Sequence, residues 1–112
     1  MKNRDSPVVY ICSKYSDDVE KNTEMARRFC RFAVDRGFIP LAPHLFLPQF
    51  MSESTEREMA MEMDLKFLSM CQELWVCGDK ISAGMRIEIN EAMRTGMTIR
   101  WITKEVLDVR DR

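Results

Sequence analysis

Four short runs rich in β-branched, aromatic and other apolar residues, Val8 to Cys12, Phe38 to Ala42, Leu74 to Cys77 and Thr98 to Ile102, recur along the chain with helix-length segments between them. No other feature constrains the fold as strongly, because strands joined by helical crossovers pair in parallel and the crossovers are right-handed. The alternation therefore predicts an α/β fold: a four-stranded parallel sheet with helices on both faces. A length of 112 residues suits one domain, so residues 1–112 are read as a single unit.

Val8-Val9-Tyr10-Ile11-Cys12 has the composition of a strand buried on both faces. Ser16 is placed to cap the helix that follows, and Asp17 and Asp18 suit its positive first turn. Val19, Met25, Ala26, Phe29, Cys30 and Ala33 recur at three- and four-residue steps, and Gly37 ends the helix. Pro40 cannot donate to a ladder, which puts the second strand at a sheet edge. After the loop Pro43 to Pro48, a second helix is expected from Ser54 to about Cys71, and a third from near Ala83 to Gly96. The tail from Lys104 reads as polar and frayed. Most of the ten methionines stand at core spacing, where they serve as core filler or at a subunit interface.

Composition removes several function classes. A formal net charge of -1 with interspersed signs lacks the footprint of a nucleic-acid-binding protein. No apolar run approaches the roughly 18 residues of a membrane span, and Met1-Lys2-Asn3-Arg4-Asp5 does not lead into a signal-peptide core, so a cytoplasmic protein without membrane contact is expected. Cys12, Cys30, Cys71 and Cys77 are widely spaced with a single histidine in the chain, which fits buried reduced thiols and no metal. There is no Gly-x-Gly-x-x-Gly and no Gly-x-x-x-x-Gly-Lys, so ATP and NAD are poor candidates and no cofactor is assigned.

In open parallel sheets, ligands bind beyond the carboxyl ends of the strands where strand order reverses. That rule selects the loops Ser13 to Asp18, Pro43 to Pro48, and Gly78 to Gly84. Asp64 interrupts the stripe Ala60, Phe67, Leu68 and Cys71, so it either pairs with a cation or faces a ligand. Glu88 stands four residues after Gly84 on one side of the third helix, either as a surface acid or as a ligand-facing one. Gly84 allows close backbone approach, while Met85, Ile89, Ala92 and Met93 supply the sheet-packing face. Ser82 can cap this helix, Arg86 is either solvated or phosphate-facing, and His44 is either a loop residue or a site residue. Two acids suffice for glycosidic chemistry: one carboxylate attacks the anomeric carbon or stabilises its cation, and the other handles the leaving-group proton.

At Val9-Tyr10-Ile11-Cys12-Ser13, Asn22, Leu41-Ala42-Pro43-His44-Leu45, Glu73-Leu74-Trp75-Val76 and Ser82-Ala83-Gly84-Met85-Arg86-Ile87-Glu88-Ile89 the chain resembles the nucleoside 2-deoxyribosyltransferase-like superfamily, in its short phage and bacterial branch. The resemblance runs from about Val8 to Ile102. It implies a small flavodoxin-like, Rossmann-like three-layer fold. It further implies cleavage or transfer of the N-glycosidic bond of deoxynucleosides or their monophosphates, by a transferase or a hydrolase. Glu88 falls at the family's nucleophile, Asp64 at or within one residue of its sugar-binding aspartate, and Tyr10 at the tyrosine that holds the nucleophile. Ser13, His44, Ser82, Gly84, Met85 and Arg86 then fall around a small-molecule nucleoside or nucleotide, in a homodimer or higher homo-oligomer. The first loop departs from the family, with Lys14 and Asp17-Asp18 in place of a glycine-rich turn. Two other classes remain: a non-catalytic module binding a nucleotide or nucleotide derivative, and a purely structural domain in which both acids are paired with cations.

Overall fold

The computed structural model describes the backbone of residues 5–110 and side chains as far as Leu107. Met1 to Arg4, at the start searched for a leader, and Asp111 and Arg112, at the end of the tail, lie outside the described residues. The elements in order are β1 (Val8–Cys12), α1 (Val19–Asp35), β2 (Ile39–Leu41), α2 (Arg57–Ser69), β3 (Glu73–Cys77), α3 (Ala83–Thr95), β4 (Thr98–Ile102) and α4 (Glu105–Arg110). Two single 3-10 turns, Pro43–Leu45 and Leu47–Gln49, lie between β2 and α2.

The four strands pair in parallel in the order β2-β1-β3-β4, giving the expected flavodoxin-like α/β architecture. β2 is an edge strand, as Pro40 requires; there Pro40 sits opposite Val9. β1 lies between β2 and β3, and strand alternation divides its side chains between two cores. Val9 and Ile11 join Trp75 and Cys77 beneath α1 and α4, together with Phe29, Phe32, Ala33 and Leu107. Tyr10 and Cys12 join Leu74 and Val76 on the other face, against Leu68 of α2 and Met85, Ile89 and Ala92 of α3. Trp75 anchors the first core, with the Phe38 ring edge-on at 4.9 Å between centroids. No helix among the described residues is long and apolar enough to cross a membrane.

The structure departs from the sequence reading at five places. α1 is capped by Asp18 rather than Ser16, because Asp17 takes a left-handed conformation (φ 79°) and turns the chain one residue before the cap; the Asp18 carboxylate then accepts from Lys21 N. α2 begins at Arg57, not Ser54, because Ser52 and Glu56 close a separate turn, with Ser52 N donating to Glu56 Oε1 at 2.8 Å and Thr55 N to Ser52 Oγ. Met93 is 65% exposed, since the sheet-packing stripe of α3 runs through Met85, Glu88, Ile89 and Ala92 and leaves residue 93 at its margin. Met59, Met63 and Met70 are likewise exposed, outside the core expected for most methionines. The tail is not frayed along its whole length: Glu105–Arg110 is helical and Leu107 is 2% exposed in the α1-side core.

α4 docks through buried Leu107 with Val106 packed against the same core, and Arg28 Nη2 donates to the Leu107 carbonyl at 3.4 Å. Leu107→Ala is expected to cost about 2–3 kcal/mol, the lower part of the range for a buried leucine. Urea unfolding would measure it, and a loss below about 0.5 kcal/mol, the scale of a surface change, would mean that the tail does not contribute to the core.

Candidate functional site

Strand order reverses between β1 and β3, so the loops after these strands diverge and leave an opening at their carboxyl ends. On the α2/α3 side the opening is a cavity of about 140 Å³. Ser13 reaches it from the loop after β1, His44 from the turn after β2, and Asp64 from α2. The first turns of α3 contribute Ser82, Gly84, Met85 and Glu88. Eight of the nine residues singled out in the sequence thus meet at this place, seven at the cavity wall and Tyr10 beneath it. Arg86 is the ninth; it stands on the exposed side of α3 and is not among the lining residues.

Glu88 is only 7% exposed. The Tyr10 hydroxyl, on the central strand below it, donates to Glu88 Oε2 at 2.5 Å. Burial pushes the glutamate up to about 7; hydrogen bonds from Tyr10 and Cys12 oppose that rise, while the charge of Asp64 adds to it. The same burial, with the neighbouring carboxylates, holds the Tyr10 phenol well above its ordinary range, so it remains a donor. Asp64 is partly buried and pushed up to about 6, first by burial and then by the charge of Glu53. Its Oδ1 is buried with no hydrogen-bond partner. An orphaned carboxylate oxygen beside a cavity is an acceptor or proton donor awaiting a ligand.

The remaining residues shape the wall. Ser13 Oγ and His44 Nε2 lie 2.8 Å apart, and burial lowers the His44 imidazole to about 4, leaving it neutral near pH 7. Ser82 caps α3 through Met85 N at 3.2 Å, which fixes the helix start that carries Glu88 one turn later. A Cβ on Gly84 would meet Met61 Cε at 3.5 Å, an ordinary contact, so packing within the protein does not demand glycine there. Its missing side chain instead leaves cavity space open. Two carboxyl groups near neutrality in one opening can hold a single proton between them, the condition for one to act as nucleophile while the other acts as acid. Among the described residues no group of three His, Cys, Asp or Glu is arranged to hold a metal ion.

Sequence reasoning missed two residues here. Arg57 and Glu53 line the cavity. Arg57 was legible in principle, since 57, 60 or 61 and 64 share one face of a helix, whereas Glu53 lies in an irregular turn with no periodic signal. Cys12 is the buried thiol expected, and its Sγ lies 3.9 Å from the Met85 carbonyl, in the core beneath the site.

No curated protein matches this chain. Among solved structures the fold is similar to that of a 2-deoxyribosyltransferase from the psychrotolerant bacterium Bacillus psychrosaccharolyticus, with a TM-score of 0.61 over 87% of this chain and 72% of that one. The two sequences are 19% identical, so the likeness is one of fold. A family model described as "Domain of unknown function (DUF7768)" matches residues 7–102, which span every strand and the whole cavity wall, and the chain belongs to that family.

Proposed function

We propose that the chain is a short member of the nucleoside 2-deoxyribosyltransferase-like superfamily, and that it cleaves or transfers the N-glycosidic bond of a deoxynucleoside or deoxynucleoside monophosphate. One observation carries this reading: a glutamate at the cavity wall, held by a buried tyrosine at 2.5 Å and coupled to a second, unpartnered carboxyl group. The similarity in fold to a 2-deoxyribosyltransferase supports it.

In the proposed reaction a Glu88 oxygen attacks C1′ as the C1′–N bond breaks. The bonding pair leaves with the base nitrogen, which takes the proton held by Asp64. Water or an acceptor base then attacks C1′, returns a proton to Asp64 and releases the Glu88 carboxylate. Tyr10 acts on the nucleophile, orienting one oxygen so that the other faces the substrate. A cation at Glu88 would have stabilised its charge and weakened its attack; burial under a neutral phenol keeps it reactive.

Deoxynucleosides and their monophosphates, incubated with and without an acceptor base, should yield free or exchanged base on chromatography. Glu88→Gln should lower turnover by about 10³-fold or more with folding intact, and Asp64→Asn by about 10²-fold. Equal rates in Glu88→Gln and the parent would refute the nucleophile assignment. No release, combined with a nucleotide-dependent rise in Tm, would favour a binding module.

The reacting pair needs one proton, on Asp64 and not on Glu88, and burial gives Glu88 (about 7) a stronger hold on it than Asp64 (about 6). The productive form is therefore the minority of the singly protonated pair, and kcat/KM should follow a bell with limbs near pH 6 and pH 7 set by the two groups together. A profile flat across that interval would exclude the shared proton. The same burial makes a stability prediction. Glu88 ionises near 4.5 when unfolded and about 7 when folded, so its contribution is fully present below about pH 4.5 and lost as the pH rises through about 7. Glu88→Gln keeps an acceptor for Tyr10 without the charge, and above about pH 8 it should be more stable than the parent by on the order of 2 kcal/mol. Thermal unfolding across pH would read the difference, which should vanish in acid.

A further inference from the structure

A second cavity, of about 360 Å³, opens on the α1 side of the same crevice. Met25, Phe29 and Cys77 give it an apolar floor, and its rim is charged. Four lysines reach the rim from four segments: Lys14 from the loop after β1, Lys21 from α1, Lys80 from the loop after β3 and Lys104 from the link between β4 and α4. Asp17, Asp18 and Asp79 stand among them, so the rim carries one positive charge in excess. Lys14 pairs with Asp17 at 3.0 Å and Lys104 with Asp79 at 3.3 Å, while Asp18 is turned to the α1 backbone as its cap. Lys21 and Lys80 have no acidic partner among the described residues.

The reacting cavity has the opposite balance. Glu53, Asp64 and Glu88 line it against the single guanidinium of Arg57, and His44 is neutral. Its volume of about 140 Å³ also falls short of the roughly 300–1,000 Å³ of small-molecule sites, so it can seat a sugar at the acids but not a whole nucleotide. Ser13 lines both cavities. A ligand that crosses at Ser13 passes from acidic to basic surroundings, and a phosphate, with a charge of about −1.5 to −2 near pH 7, is repelled at one end and attracted at the other.

We infer that the lysine-rimmed cavity is a phosphate subsite, in which Lys21 and Lys80 hold the 5′-phosphate of a deoxynucleoside monophosphate whose sugar reaches over Ser13 to Glu88. The inference rests on the glycosidic reading of the acidic cavity, and it selects the monophosphate from the two substrates left open there. Lysine fits the role: a compact ammonium on a flexible stem acts as a point charge, and these two close on the crevice from α1 and from the β3 loop. Lys14 and Lys104, already paired, contribute less.

Rim lysines that are merely solvated predict the same affinity with and without a phosphate on the ligand. The test is calorimetric binding of deoxynucleosides and their 5′-monophosphates to the full chain in a Glu88→Gln background, where the ligand is not consumed. The monophosphates should bind about tenfold tighter or better. Lys21→Ala and Lys80→Ala should each weaken them about fivefold, and Lys80→Arg, which keeps the charge, should not. Deoxynucleoside affinity should stay within about twofold throughout, and Tm should hardly change, because both lysines are exposed. Inorganic phosphate should compete with the monophosphates and not with the deoxynucleosides; phosphate that binds alongside the monophosphate would make the cavity a separate anion site and overturn the assignment to substrate. A monophosphate preference that is absent, or that survives the double variant Lys21→Ala/Lys80→Ala, would also overturn it. Base released from both ligand classes with KM values insensitive to the two lysines would overturn the subsite and leave the glycosidic reading standing. Lysine-dependent monophosphate binding to a parent that releases no base would do the reverse.

Discussion

A carboxyl group on the sheet-packing stripe of a helix is the constraint around which this structure is arranged. Met85, Glu88, Ile89 and Ala92 are the buried residues of α3, and three of them are what any helix places against a sheet. The fourth is an acid, which costs several kcal/mol to bury as an anion without a partner. Docking is tolerable only where a donor rises from the strand below and an opening lies alongside. Tyr10 meets the first condition and the divergence of the β1 and β3 loops meets the second. Glu88 accordingly stands in the first half of α3, where the helix borders the cavity, whereas Ile89 and Ala92, further along, are buried and do not line it.

The two faces of the sheet divide the work. Beneath α1 and α4 the core is built from Phe29, Phe32, Trp75 and β-branched residues, which seal it and supply most of the aromatic contact. The α2/α3 face packs aliphatic and sulfur-bearing groups, Leu68, Leu74, Val76 and Ile89 with Cys12, Cys71 and Met85, around one buried tyrosine. A cavity opens on this second face because its side chains do not fill the space between α2 and α3 at the strand ends. Asp64 belongs to the same economy of space: it takes a position on the α2 stripe that an apolar residue would otherwise close, and its Oδ1 is left without a protein partner.

The parts legible in the sequence are those whose signals are local. β1, β3 and β4 read as short apolar runs, Pro40 put β2 at the edge, and Ser82 and Gly96 marked both ends of α3. The parts that were not legible depend on contacts distant in the chain. Val106, Leu107 and Val109 are the apolar residues of a short, mostly charged tail, too few over too short a span to reveal by periodicity that Leu107 enters the α1-side core. The cap of α1 moved because Asp17 adopts a positive φ that aspartate tolerates but does not announce. For the site, spacing put Asp64 on a buried stripe but left Glu88 open between a surface acid and a ligand-facing one; only the fold brings both to one cavity and sets the Tyr10 hydroxyl beneath Glu88.

The first loop is shaped by side-chain chemistry and not by glycine. Where the resembled family has a glycine-rich turn, this chain has Lys14 to Asp18, residues with less backbone freedom. The turn is made instead by side-chain chemistry. Asn22 Nδ2 donates to the carbonyls of Tyr15 and Ser16, at 3.2 and 2.7 Å, and Asp17 supplies the left-handed step. Lys14 closes back on Asp17 at 3.0 Å, an exposed pair that adds little energy but accounts for both charges locally. The loop carbonyls are thus drawn toward α1, and Tyr15 and Ser16 are left at the cavity wall. Asn22 therefore belongs to the construction of the site although it does not line it: the rim opposite Glu88 is held by the first helix, not by the conformational freedom of glycine.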